Sequence, residues 1–279
     1  MKQKSYDDSP SLYLIPTPIG NLDDITYRSL KVLESVDLLL CEDTRETQKL
    51  LNHFGINKKV MACHEFNEEK IKDNIISLLK EGNNLGLVTD QGTPIISDPG
   101  YIVSKEVINA GYNVISLPGA TAFVPALTMS GIEPSPFMFY GFLNAKNSKQ
   151  KEELRSLSNY KYTLIFYEAP HRLKETLTNM LEIFGDRKIA LCRELSKVHE
   201  EVIRDNISSI IDICSTLKGE FVIIVEGNKE VVDYSNITID EHVKMYLEDG
   251  ISEMDAIKRV AKERGVAKSI IYKEYHIGK

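Results

Sequence analysis

The chain has 279 residues, of which 42% are hydrophobic and 27% charged, and a formal net charge of −7. That length supports two domains and a sizeable core, and the composition is that of an ordinary globular protein rather than a disordered or fibrous one. No stretch approaches the ~18 apolar residues of a membrane span, the polar start from Met1 to Ser11 lacks the apolar centre of a secretory signal, and Cys41, Cys63, Cys192 and Cys214 form no C-x-x-C pair, which points to reduced thiols in the cytoplasm.

The chain opens with a short apolar strand, Leu12–Ile15, running into Pro16-Thr17-Pro18-Ile19-Gly20-Asn21. Asp24 or Thr26 caps a helix through about Glu34, with Ile25, Leu30 and Leu33 on one face. Val36–Cys41 is the next strand; it runs into Glu42-Asp43-Thr44-Arg45 and a helix to Phe54, stopped by Gly55. Lys59–Cys63 ends at His64-Glu65-Phe66-Asn67, and a helix to Lys80 leads through Gly82 to a strand at Leu85–Val88. Tyr112–Leu117 follows, running into Pro118-Gly119-Ala120-Thr121-Ala122 and a helix from Gly119 to Gly131. Such β-α alternation predicts an α/β fold with a mainly parallel sheet. Pro134 and Pro136 interrupt the pattern, and we place a boundary near residue 120. The second half carries strands at Phe137–Phe142, Tyr162–Tyr167, Lys188–Cys192 and Glu220–Glu226, with a helix from His171 to Phe184. The spacing of Ile189–Arg193 and Glu200–Arg204 predicts a hairpin, hence a mixed sheet. The predicted domains are therefore 11–119, 120–228 and, beyond a polar linker from Gly227 to Thr238, a tail at 236–279.

The most telling stretch is Leu85–Ala122, where two Gly/Pro loops each follow a strand. Ligands of open α/β sheets sit outside the carboxyl ends of strands, so two such loops form two walls of one pocket. Gly92, Gly100 and Gly119 allow close backbone approach, while Pro94, Pro99 and Pro118 stiffen the loops. Asp90, Thr93, Ser97, Asp98 and Thr121 supply small polar groups, and no Lys or Arg lies between Leu85 and Ser104. The pocket suits a neutral or cationic ligand bearing an adenine and a ribose, and not a polyphosphate. The plain alternative is a pair of tight βα turns. No two glycines are separated by a single residue, which excludes G-x-G-x-x-G, and neither a P-loop, a G-x-S-x-G elbow nor H-E-x-x-H is present.

The tail reads as three short helices punctuated by Gly250 and Gly265, the second capped by Ser252, in a helix-turn-helix-like arrangement. Its charge is segregated. Residues 257–279 carry seven basic against two acidic residues, and residues 240–256 one against six. A second basic cluster, Lys146, Lys149, Lys151 and Arg155, lies in a polar mid-chain segment. Either cluster serves as a solvated face or as a nucleic-acid contact.

Five ordered motifs carry a resemblance: Pro16–Asn21, Glu42–Arg45, Asp90–Gly100, Tyr167-Glu168-Ala169-Pro170-His171-Arg172 and Gly219-Glu220-Phe221-Val222. Together they resemble the ribosomal RNA small subunit methyltransferase I family of the tetrapyrrole-methylase (class III methyltransferase) superfamily, over roughly residues 11–227 and in the helical extension. The chain departs from the commoner pattern at Gln91, Ala120-Thr121 and Ala169. The resemblance implies two α/β domains with S-adenosylmethionine in the cleft between them and a homodimer. It also implies methylation of a cytidine ribose 2′-hydroxyl in 16S rRNA near the decoding centre, with the 30S subunit as partner. The donor's residues are expected at Pro18, Asp90, Gly92, Thr93, Pro94, Ser97, Pro118, Gly119, Thr121, Ala122, Tyr167, Gly219 and Glu220.

A ribose hydroxyl is a weak nucleophile, so a general base contributes about 10²-fold or more. Glu42, Asp43, His64 and Glu168, all at strand ends, are the candidates, with Glu42, Asp43 and His64 expected to face the acceptor ribose. Asp43 or Thr44 is equally suited to capping the following helix, His64 to an ordinary strand end and Glu168 to a turn. Arg45, Arg172, Arg193 and Lys197 are candidate phosphate contacts, with Arg193 and Glu194 alternatively an ion pair between domains. No metal site is expected. The competing functions are a methylase acting on a tetrapyrrole carbon and a non-catalytic RNA-binding protein that holds the donor as a structural ligand.

Overall fold

A computed structural model describes residues 3–5, 7–229, 234, 237–248 and 250–277. They fall into two compact units, 1–228 and 229–279. The first unit holds two five-stranded sheets. Up to residue 116 the elements alternate regularly: β1 (Ser11–Leu14), α1 (Tyr27–Ser35), β2 (Leu38–Cys41), α2 (Thr44–His53), β3 (Val60–Ala62), α3 (Glu68–Lys80), β4 (Leu85–Val88), α4 (Tyr101–Asn109) and β5 (Asn113–Ser116). The strands lie in the order β3-β2-β4-β1-β5, all parallel. β4 is buried along its whole length, as expected for a parallel strand covered on both faces. One face packs against α3 and α4 through Leu12, Leu40, Ile75, Leu79 and Val103. The other packs against α1 and α2 through Ile15, Leu33, Leu39 and Leu51. Thr26, the second of the two expected caps, accepts a 3.0 Å bond from the Ser29 N–H and starts α1.

The order places a topological switch between β1 and β4. β1 leads by way of α1 to β2 on one side of the sheet, and β4 leads by way of α4 to β5 on the other. Loops leaving neighbouring strands in opposite directions open a crevice above them. A pair of 2.9 and 3.0 Å backbone bonds between Thr17 and Gly92 spans it at the base.

The second sheet follows from α5 (Phe123–Ser130), β6 (Phe137–Phe142), α6 (Asn147–Leu157), β7 (Thr163–Glu168), α7 (Leu173–Phe184), β8 (Lys188–Arg193), β9 (Glu201–Asn206), α8 (Ile207–Cys214) and β10 (Phe221–Val225). Its order is β6-β7-β10-β8-β9. β6 and β7 are parallel and every other pair antiparallel, including the β8–β9 hairpin. α5 begins at Phe123 rather than at Gly119, because 118–121 form a loop whose Ala120 carbonyl accepts from Thr93 of the loop after β4. α5 packs its Ala126 and Leu127 against Ile165, Ala190 and Val222 of this sheet.

The second unit contains α9 (Ile239–Glu248), α10 (Glu253–Glu263) and α11 (Lys268–Ile277). Val243, Ile257, Val260, Ile271 and Tyr275 form its core, and the Ser252 hydroxyl caps α10. The buried His242 is hydrogen-bonded to Glu263 at 3.0 Å and accepts from Arg264 Nε at 3.2 Å.

Candidate active site

The loops at the carboxyl ends of β1, β4 and β5 meet the ends of β6, β7 and β10 around a cavity of about 450 Å³, within the range of small-molecule sites. The first half contributes Asp90, Gly92, Thr93, Ser97 and Asp98, with Thr121 and Ala122 from the loop after β5. Tyr167, Glu168 and Glu220 face them from the second half. Most of the residues expected at the donor therefore share one cavity. Pro18 lines a neighbouring one. Pro94, Pro118, Gly119 and Gly219 line neither. Gly119 instead lets the loop pass against Pro16, where a Cβ would lie 2.4 Å from the proline ring. Gly219 sits against the Glu194 carboxylate. Ile19, Phe142 and Leu195 also line the site. They were missed because their contacts run between loops far apart in the chain.

The loop after β4 is held under strain. Ile95 and Ser97 have φ of 78° and 65°, a region that a β-branched residue rarely enters and that clusters at functional sites. Thr93 Oγ1 donates to Ala120 O at 2.9 Å, tying the two predicted walls together. The loop ends at Gly100, whose φ of 119° starts α4 without a side-chain cap. Glu68, reaching across from α3, supplies one. Its carboxylate accepts from the N–H groups of Gly100, Ile102 and Val103 at 2.9, 2.9 and 3.2 Å.

Opposite, the loop after β8 closes the cavity's rim. Lys197 Nζ pairs with Glu194 at 3.1 Å and Glu220 at 2.9 Å. Its aliphatic stem lies on Gly20, and Ser196 Oγ donates to Asp24. Arg193 pairs with Glu201 at 3.0 Å and donates to Lys218 O. Arg172 donates to the carbonyls of Leu143 and Asn144. All three cations are thus engaged within the fold, whereas Arg45 is largely exposed, 85% of its side-chain surface being open.

The acids divide by environment. Asp43 caps α2 and holds Arg45 in a two-pronged pair at 3.1 and 2.7 Å. The hydrogen bonds from Arg45 bring its pKa down to about 2. Glu168 is buried and accepts from Ala169 N and Thr176 Oγ1, within a network that runs on to Gln150 and Asn179. His64 stands at the end of β3, its Nδ1 buried without a partner, in a loop pinned by Asn67. Thr89 Oγ1 lies 2.8 Å from Asp98 and 3.3 Å from Glu42. Burial raises Glu42, helped by the charge of Asp90. Burial, then the charges of Glu42 and Asp90, push Asp98 up to about 6. Asp90 is raised too, first by burial and then by the charges of Asp43 and Glu46.

Asp98 lies in the Asp90–Gly100 motif, and its partial burial emerges only in the fold. Its raised pKa has a consequence for stability. The folded state binds a proton that the unfolded chain has released between pH 3.8 and about 6, so stability falls as pH rises through that window. Asp98→Asn keeps the acceptor for Thr89 and removes the charge. It should melt with the wild type at pH 3.5 and above it at pH 7.5, by about 1 kcal/mol after allowance for solvent screening. An equal gap at both pH values would overturn this.

Among the described residues no Lys, Arg or His lines the cavity, and Asp90, Asp98, Glu168 and Glu220 do, so it fits a cationic small molecule. Two loop walls at a switch point thus enclose a cavity with several carboxylates, two of them, Asp90 and Asp98, raised. Residues 11–211 match the family Tetrapyrrole (Corrin/Porphyrin) Methylases. The solved uroporphyrin-III-C-methyltransferase of Thermus thermophilus superposes with a TM-score of 0.55 at 20% identity, over 77% of this chain and 94% of that one. A diphthine synthase superposes at 0.59 and 13%, over 77% and 90%. Ribosomal RNA small subunit methyltransferase I of Bacillus subtilis is 48% identical over 97% of this chain and 95% of its own. The protein of that name from Halalkalibacterium halodurans is 44% identical over 98% of each. The chain belongs to the ribosomal RNA small subunit methyltransferase I family and is a methyltransferase.

Proposed function

We propose that this protein transfers the methyl group of S-adenosylmethionine to the ribose 2′-hydroxyl of a cytidine in 16S rRNA near the decoding centre. The observation that carries the reading is the 450 Å³ cavity, walled by Asp90 and Asp98 and without a basic side chain among the described residues, in a chain 48% identical to a protein named for ribosomal RNA methylation. The donor's sulfonium supplies an already activated methyl, so the protein's work is alignment, exclusion of water and acceptance of one proton.

In this reading Gly92, Thr93, Ser97, Thr121, Ala122, Tyr167 and Glu220 hold the donor. Pro18, Pro94, Pro118, Gly119 and Gly219 shape the loops around it. Asp90 borders the acceptor; Glu42, Asp43 and His64 line neither cavity and back Asp90 from the ends of β2 and β3, and Glu168 braces the second wall. Asp90 takes the proton: burial raises its basicity, whereas Asp43, held near 2 by Arg45, is a poor base at neutral pH. Arg45 meets the RNA backbone, with Arg172, Arg193 and Lys197 holding the loops that receive it. The protein works in the cytoplasm as a homodimer on the 30S subunit. The second unit docks on that subunit through Lys258, Arg259 and Lys262 of α10 and Lys268 and Lys273 of α11.

The test uses radiolabelled S-adenosylmethionine with 30S subunits lacking the modification. Label at an alkali-resistant ribose of 16S rRNA is expected. Tight donor binding without label in RNA overturns the reading. In the same assay a chain ending at residue 228 should bind the donor unchanged and the subunit at least tenfold more weakly. Equal loss of both makes the second unit structural.

A further inference from the structure

A second cavity, of about 340 Å³, lies against the first and shares Asp90 and Gln91 with it as a common wall. It is built on one face of α2, where Glu46, Lys49, Leu50 and His53 recur at helical spacing, and is faced by Pro18 and Leu22 from the loop after β1. Glu46, Lys49 and His53 lie outside all five sequence motifs.

We infer that this second cavity receives the base of the acceptor nucleotide, an unstacked nucleobase carrying an exocyclic amine, and that the face of α2 selects it. The inference rests on the functional reading above and adds the element that chooses the nucleotide. Three observations carry it. Methyl transfer needs donor and acceptor on two sides of one short gap, and the Asp90–Gln91 wall is common to both cavities. Leu22, Leu50 and Pro18 offer apolar contact to a flat ring, while Glu46 and Lys49, paired at 2.7 Å on the same face, set a carboxylate acceptor beside an ammonium donor. That arrangement complements an amine next to a ring nitrogen or carbonyl, and a carboxylate accepting from an exocyclic amine is a known mode of reading cytosine. Thr47, buried in the same wall, has a hydroxyl with no oxygen or nitrogen partner and only the weakly bonding Cys41 thiol beside it. Since chemistry on a nucleotide requires it to leave its stack, the base needs a pocket of its own.

The test uses the full chain and three substitutions. Leu50→Trp fills the cavity from a half-buried position, His53→Trp fills it from an exposed one should the first not fold, and Glu46→Gln removes the carboxylate. The readouts are the Kd for S-adenosylmethionine by calorimetry, the KM and kcat on unmodified 30S subunits, and competition by oligo(C), oligo(A) and oligo(U). Either Trp variant should raise KM at least tenfold with donor Kd within twofold. Oligo(C) and oligo(A) should compete better than oligo(U) against the wild type, and Glu46→Gln should abolish the difference. An unchanged KM in a folded Trp variant overturns the inference, as does a parallel rise in donor Kd, which would make the cavity part of the donor site. Failure of the wild type to label rRNA overturns the functional reading itself, a result obtained before any variant is made.

Discussion

Asp90→Asn is expected to lower kcat on 30S subunits by about 10²- to 10³-fold, the range for loss of a general base and equal to roughly 3–4 kcal/mol of barrier. Donor affinity should fall far less. The substitution preserves size and leaves an oxygen to accept the 3.2 Å bond from the Asp43 N–H, so positioning survives while basicity does not. Asp90 is the carboxylate on the wall common to both cavities. Glu42 lines neither cavity and accepts from the Thr89 hydroxyl, and Asp43 is held ionised by Arg45. The wild-type pH profile should rise with pH across a raised carboxyl and then level, because only the deprotonated Asp90 accepts the ribose proton. Asp90→Asn should lose that limb. A variant within threefold of wild-type kcat, or one that keeps the limb, assigns the proton elsewhere, and Glu42→Gln becomes the next comparison.

The architecture was legible because apolar strands ending in Gly or Pro recur with helices between them, a pattern that local sequence carries. So was the main cavity, whose floor is built from two contiguous loops. What escaped was non-local. Lys146–Arg155 reads as a polar basic segment, yet it forms most of α6, because only Gln150, Leu154 and Leu157 turn inward and the remaining surface is charged. Lys197 reads as a cation free to meet phosphate. The fold sets it between Glu194 and Glu220, a relation fixed by the approach of β8 to β10. Asp98 reads as one polar group among several. Its partial burial and its raised pKa depend on the loop after β4 folding back so that Asp98 meets Thr89, Glu42 and Asp90. The face of α2 looks like any solvated helix until the loop after β1 is laid over it.

Glu68 is the clearest case of a residue whose role sequence could not show, and its removal should produce the largest loss of stability. In sequence it is an acid in the first turn of α3, an ordinary place for one. In the fold it is buried, and its two oxygens take three N–H groups at the start of α4, where Gly100 has no side chain to cap with. Glu68→Ala leaves those donors without partners in a site too enclosed for full hydration, at about 1–3 kcal/mol for an unsatisfied group and some further loss of charge at the helix start. A total near 4 kcal/mol is expected, a fall in Tm of roughly 10 °C for a unit of this size. Glu68→Gln keeps one acceptor and should recover about half. The loop carrying Asp98 ends at Gly100, so the same substitution should also raise the donor Kd, and bound S-adenosylmethionine should narrow the Tm gap only at concentrations well above that Kd. Thermal melts with and without the donor separate the two effects. A Glu68→Ala protein that melts with the wild type would mean that water caps α4 as well as the carboxylate does, and that the strained loop from Thr93 to Pro99 is held by its own contacts with Ala120 and Thr89 alone.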